Sequence, residues 1–328
     1  MSSKLRWGIL GCAGIATGAV MPGIQLSERG VITAIASRDL VKSQAVAERF
    51  GVQAAYGSYE ELLADDNVDA VYIPLPNHLH CEWTVRAAEA GKHVLCEKPI
   101  ALNAEEAERM VQACRKAGVL LAEAFMYRHT SQLAQIRDIA QSGEIGELRV
   151  IRSSFSFNNS ADSNNIRYRK EWGGGSVYDV GCYPLTAARF ITGQQPLAVT
   201  AHAFLSPAHN HVDMMASGLV EFEQGMSLLF DCGMWAYDRQ GLDILGTEGK
   251  IEVPSPFLSK EPFNVTVRGE RRAVTSDDAN AYALQADQFA KAVAGEEPQL
   301  FEPEDAVINM RIIDACMTSI HEKRRVEL

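Results

Sequence analysis

The residues of this 328-residue chain able to do chemistry fall into a few short segments. The first is Gly8-Ile9-Leu10-Gly11-Cys12-Ala13-Gly14-Ile15-Ala16, a glycine turn that keeps a G-x-G-x-x-G/A pattern at Gly11 and Ala16 but places Ala13 where the second glycine belongs. Such a turn between a first strand and a helix offers backbone N–H groups and a positive helix end to a pyrophosphate. A plain strand-to-helix connection is the alternative. On the first reading Gly11, Cys12, Ala13, Gly14, Ile15 and Ala16 contact a dinucleotide. At the end of the second strand, where an acidic residue would bind the ribose 2′-OH of NAD, stand Ser37 and Arg38, with Lys42 a helical turn on. A hydroxyl and two cations suit a 2′-phosphate, so NADP(H) is favoured and NAD(H) remains possible. The competing reading makes Arg38 and Lys42 a solvated face with Asp39.

Two further segments follow later strands, where open α/β sheets bind ligands: Pro74-Leu75-Pro76-Asn77-His78-Leu79-His80 and Cys96-Glu97-Lys98-Pro99. Their prolines fix φ, withhold N–H donors and end the strands. Leu75, Asn77, His80, Glu97 and Lys98 are candidate cofactor contacts, although His78 and His80 read more simply as surface or capping histidines. Lys98, pressed between Glu97 and a proline, is an odd choice for solubility alone. Farther on, Trp172-Gly173-Gly174-Gly175-Ser176-Val177-Tyr178-Asp179-Val180-Gly181-Cys182-Tyr183 precedes an apolar helical pattern. A helix starting after Ser176 puts Asp179 and Tyr183 four apart on one face. Equally, Ser176 and Asp179 can form a capping box, with Tyr183 in the core. Three successive glycines imply close approach by a ligand or another backbone. His209 and His211, with Asp213 nearby, lack further metal ligands at a recognisable spacing, so no metal is expected. No G-x-S-x-G precedes a helix, which disfavours a serine hydrolase.

The elements that must hold these residues are readable from periodicity. Between residue 5 and about 123, the apolar runs LRWGIL, VITAIAS, DAVYIPL, HVLCEKP and VLLAEA alternate with amphipathic stretches, a βαβ rhythm. Ser58 with Glu61 and Asn103 with Glu106 read as capping boxes. After a helix near 130–141, the runs LRVIRSSFSF, AVTAHAFL, MMASGLVEF, MSLLFDCGMW and LDILG predict consecutive strands, and two amphipathic helices near 280–294 and 303–322 follow. The expected fold is α/β: a doubly wound parallel Rossmann sheet in a domain of residues 1–124, then a domain of residues 125–328 with a large open, mostly antiparallel sheet. An uncovered sheet face suggests a homodimer or homotetramer.

Composition narrows the partners. With 31 Lys and Arg against 42 Asp and Glu, the formal charge of -11 repels nucleic acid and anionic lipid alike. No apolar stretch reaches the ~18 residues of a membrane span. The 7 cysteines are odd in number and without a C-x-x-C, which fits free thiols and a cytoplasmic setting.

Taken in order, GILGCAGIA, DAVYIPLPNHLH, CEKP, EAFMYR and GGGSVYDVGCY resemble the Gfo/Idh/MocA oxidoreductase family, particularly the branch of glucose-fructose oxidoreductase, xylose dehydrogenases and dimeric dihydrodiol dehydrogenase. The resemblance implies a Rossmann domain followed by an α/β domain, hydride transfer to or from a sugar, polyol or cyclic diol, and Lys98, Asp179 and Tyr183 in the active site. It further implies Tyr127, Arg128, Trp172, Asp179 and Tyr183 as contacts to a small hydroxylated substrate. In that scheme Tyr183 relays the hydroxyl proton, Lys98 lowers the phenol's pKa, and Asp179 orients the hydroxyl or the lysine. The same family also resembles regulators that bind a dinucleotide without turnover, and sugar-processing enzymes whose oxidation is transient.

Overall fold

The computed structural model describes residues 4–162, 164–258, 261–276 and 280–328. The chain divides into two compact units, Met1–His129 with Ala279–Ile308, and Thr130–Asp278 with Asn309–Leu328.

The first unit contains a six-stranded sheet of β1 (Leu5–Leu10), β2 (Gly30–Ala36), β3 (Ala54–Tyr56), β4 (Ala70–Ile73), β5 (His93–Glu97) and β6 (Leu121–Ala124). Its order is β3-β2-β1-β4-β5-β6, with every neighbouring pair parallel. This is the doubly wound order, and its direction reverses between β1 and β4, so a crevice opens there at the carboxyl strand ends. Helix starts between the strands are set by local side chains. Ser58 forms both bonds of its capping box with Glu61. Asn103 accepts from the Glu106 N–H at 2.9 Å, while the Glu106 carboxylate takes the Leu102 N–H at 3.1 Å instead of that of its own cap.

The returning helix Ala281–Val293 completes this core. Phe289 meets the Trp7 ring with centroids 5.3 Å apart, beside buried Ala286 and Ala290. Gly23 permits the approach, because a Cβ there would lie 2.4 Å from the Cβ of Tyr282. The Asp287 carboxylate accepts from the Ser27 hydroxyl and from the Arg29 N–H.

The second unit contains a nine-stranded sheet: β7 (Leu148–Asn158), β8 (Ala198–Leu205), β9 (Asp213–Glu221), β10 (Ser227–Gly233), β11 (Trp235–Gly246), β12 (Gly249–Val253), β13 (Phe263–Val267), β14 (Glu270–Val274) and β15 (Val326–Glu327). The order is β14-β13-β12-β11-β7-β10-β9-β8-β15, antiparallel except where β7 meets β10. Helix Cys182–Thr192 lies against β7 and β10 and is buried along most of its length, so what it carries is fixed by the sheet beneath. The described cysteines are all free thiols. No helix among the described residues is long and apolar enough to cross a membrane.

Candidate functional site

In the first unit the candidate residues gather at the carboxyl ends of β1, β2, β4 and β5. Gly11 follows β1 with φ +119° and donates to the Ala36 carbonyl at 2.9 Å, so the glycine turn begins level with the end of β2. Only glycine adopts that φ without strain. Gly14 is exposed, and a Cβ added there would meet nothing within 4 Å, which leaves an open approach to the backbone. Ala16–Val20 then form a π-helical turn, a form that recurs at functional sites.

Beside this turn, Ser37 is buried, whereas Arg38 and Lys42 are exposed. Asp39 is unavailable to a ribose: its Oδ1 accepts from the Val41 and Lys42 N–H groups at 3.0 and 3.3 Å, capping helix Leu40–Phe50. Burial pushes the Cys12 thiol up, opposed by the Lys42 charge and a bond to Ser37, so Cys12 packs as a neutral thiol. Tyr59 is hydrogen-bonded to Arg38. An open glycine turn, a hydroxyl and two exposed cations fit a dinucleotide bearing a 2′-phosphate.

At the end of β4, the structure corrects the expectation for His80. The ring is fully buried, with Nδ1 3.0 Å from the Pro99 carbonyl and Nε2 2.7 Å from the Leu75 carbonyl. Burial pushes its pKa down to about 4, so the imidazole is neutral at pH 7 and donates to one carbonyl at a time. It is neither a surface histidine nor a cofactor contact; it ties the loop after β4 to the loop after β5. Leu75 packs beneath the glycine turn, where a Gly11 Cβ would meet its Cδ2 at 3.1 Å. Asn77 opens a short 3-10 turn, Asn77–Leu79. Glu97 accepts from the Tyr72 phenol at 2.5 Å and from the Lys98 N–H at 3.3 Å. Lys98 itself is half-buried, and its charge works against the rise that burial imposes on the Tyr282 phenol.

Arg128 is also corrected. Its side chain is 4% exposed, paired with Asp305 at 2.6 Å and stacked over Phe301 at 3.4 Å. The returning segment supplies both partners, so the charge expected to meet a substrate is spent inside the first unit. Tyr127 is buried edge-on to Phe125.

In the second unit, helical geometry runs from Val177 through Thr192, first as a π-turn and then as an α-helix. Asp179 and Tyr183 therefore share a face. The capping-box alternative is not realised, because the Ser176 hydroxyl donates to Asp213 at 2.8 Å and the Asp179 carboxylate accepts from Arg167 Nε at 2.6 Å. The glycines answer to protein, not ligand: a Cβ at 174 would lie 2.4 Å from the Arg167 carbonyl, and one at 175 would lie 1.9 Å from Asp213 Oδ1. Tyr183 is 6% exposed and rests on Phe155 and Phe257, at centroid distances of 5.1 and 5.3 Å. Trp172 is half-buried in the turn Lys170–Trp172, under the Arg169 guanidinium at 5.9 Å.

Arg167 was not identifiable from sequence. Its guanidinium binds Asp179, and both that carboxylate and Tyr183 hold its pKa up against burial. The visible signal was a basic cluster, Arg167 and Arg169, just before the glycine run.

Comparison with known proteins agrees along nearly the whole chain. A profile described as "Oxidoreductase family, NAD-binding Rossmann fold" matches residues 5–125, and "GFO/IDH/MocA C-terminal domain" matches residues 133–252. D-xylose 1-dehydrogenase (NADP(+)) 2 of Haloferax volcanii is 38% identical over 99% of this chain and 100% of its own. Trans-1,2-dihydrobenzene-1,2-diol dehydrogenase of Mus musculus is 33% identical over 82% and 79%. Among solved structures, the 3-ketoreductase KijD10 of Actinomadura kijaniata, in complex with NADP and TDP-benzene, superposes with a TM-score of 0.91 at 31% identity, covering 97% and 98% of the two chains.

Proposed function

Because this chain belongs to the GFO/IDH/MocA oxidoreductase family, we propose that it transfers a hydride between NADP(H) and a carbinol or carbonyl carbon of a sugar, polyol or cyclic diol. The observation that carries this reading is the phenol of Tyr183, seated on two aromatic rings one helical turn from an Asp179 held by Arg167. A nicotinamide dinucleotide supplies the hydride chemistry when bound. The protein's part is proton handling. Tyr183 takes or returns the hydroxyl proton of the substrate, Lys98 stabilises the phenolate, and Asp179 orients the hydroxyl or the lysine. Trp172 contributes a face to the substrate. A screen of sugars, polyols and cyclic diols for net NADPH formation or consumption tests the proposal. Tight dinucleotide binding without turnover of any of them would favour a regulator, and substrate conversion without net redox change would favour transient oxidation.

The cofactor preference is expected to rest on Arg38. Arg38→Ala should weaken NADPH binding about ten- to hundredfold, the size of one charge-assisted hydrogen bond to a phosphate, and leave NADH binding within about twofold. Fluorescence titration with both cofactors measures this. An unchanged ratio of dissociation constants would remove the assignment of a 2′-phosphate site.

We also propose that the second unit's sheet joins copies of the chain into a homodimer or homotetramer. Phe204 and Trp235 stack with centroids 4.6 Å apart although both are about two-fifths exposed, and Tyr237 on the same strand as Trp235 is 91% exposed. Aromatic surface of this kind is costly in water. Sedimentation at micromolar concentration should therefore show no monomer as the main species; a monomer contradicts the proposal.

A further inference from the structure

We infer that Asp213 is a positioning residue, whose charge fixes the start of the helix that carries Asp179 and Tyr183. The inference rests on the proposed roles of those two residues. Asp213 opens β9 and is 1% exposed. Its Oδ2 receives the Ser176 hydroxyl at 2.8 Å and the Val177 N–H at 2.7 Å, the two groups that begin the helical run. Its Oδ1 is buried with no hydrogen-bond partner among the described residues, and lies where a side chain at Gly175 would have to go. One carboxylate thus sets both the glycine immediately before the helix and the first N–H of the helix itself.

The groups facing Asp213 provide no countercharge. Besides Ser176 and Val177 they are the thiols of Cys232 on β10 and Cys316 on the last helix, Glu304–Glu322, both pushed up by burial and by the Asp213 charge. Only the positive end of the helix compensates the carboxylate. Burial accordingly raises the Asp213 pKa from 3.8 to about 6, against the bonds from Val177 and Ser176. The sign of the linkage follows: a carboxyl raised in the folded state contributes stability that is full below about 3.8 and is lost as pH rises through about 6. At pH 8 the ionised side chain costs stability. An asparagine would accept the same two hydrogen bonds without that cost, so packing alone does not call for aspartate here. A charged acceptor does make shorter and stronger bonds, and these bonds fix the backbone two residues before Asp179 and six before Tyr183.

The test compares Asp213→Asn, Ser176→Ala and Tyr183→Phe in the full-length protein, with NADP+ and the best substrate from the sugar and polyol screen. Asp213→Asn should lower kcat about ten- to hundredfold, as expected for sub-ångström loss of alignment. KM and NADPH affinity should stay within about twofold, and Tm at pH 8 should be equal or higher. Ser176→Ala removes a donor that favours the ionised form, so the acid limb of its kcat profile should move to higher pH by about half a unit, whereas in Asp213→Asn that limb should be absent. The inference is overturned if Asp213→Asn keeps kcat within twofold while Tyr183→Phe is inactive, or if kcat and Tm fall together with the limb of Ser176→Ala unmoved. Near-normal turnover by Tyr183→Phe would instead sink the reading of Tyr183, and this inference with it.

Discussion

Turnover by Tyr183→Phe should fall about 10²–10⁴-fold, the range of general acid–base assistance, with NADPH affinity and thermal stability close to those of the parent. Removing one hydroxyl leaves the ring on Phe155 and Phe257, so the aromatic bed is preserved. A phenol with an ordinary pKa of ~10 is a poor base at neutral pH unless a cation stabilises the phenolate. Lys98→Met removes the proposed cation at nearly constant side-chain length and should cost a similar factor. Groups that act as one unit are strongly non-additive, so the double variant should be little worse than the worse single one. Steady-state kinetics on the three variants, with NADPH fluorescence beside them, decides the matter. Losses that multiply cleanly would assign the two residues separate functions, and near-normal turnover by Tyr183→Phe would leave the tyrosine as core.

The second large effect concerns stability. Arg128→Ala should destabilise the fold by about 3 kcal/mol, the lower end for breaking a buried ion pair, because Asp305 retains 22% exposure. For a protein of this size, that corresponds to a fall in Tm of roughly 5–10 °C. Arg128→Lys should recover little, since an ammonium cannot reproduce the planar stack over Phe301 at 3.4 Å. Turnover per folded molecule should be unchanged in both variants, which separates an architectural arginine from a substrate contact. A large rise in KM without loss of Tm would restore Arg128 to the substrate site.

Much of this was legible in the residues. β1, β2, β4, β5 and β6 announced themselves as short apolar runs between helical patterns, since a parallel sheet is buried on both faces. β3 did not, because its three residues are all half-buried and show no alternation. The edge strand β14 was missed for a related reason: four of its five residues are exposed. Spacing placed Asp179 and Tyr183 on one face, but the partners that hold them were out of reach. Asp213 lies 36 positions beyond Val177, and no local pattern links a carboxylate at the start of one strand to the first N–H of a distant helix. His80 misled for the opposite reason. A histidine among prolines at a strand end looks like a ligand, and only its burial shows that both nitrogens face carbonyls. The amphipathic pattern of Ala281–Val293 predicted a helix without saying which sheet it would cover.

That last point bears on how the chain is made. The first unit needs Phe289, Asp287 and Asp305 to close around Trp7, Ser27 and Arg128, yet these halves are separated by the whole of the stretch 130–278. At about 5–20 residues per second, a ribosome that has finished residue 129 takes roughly 10–35 s to reach residue 308. The first sheet to be synthesised therefore waits, with its apolar flank uncovered, for nearly the last helix to emerge. For the same reason the dinucleotide-binding part cannot be transplanted between relatives as a contiguous N-terminal cassette; an exchange that omits the returning segment leaves Trp7 facing water.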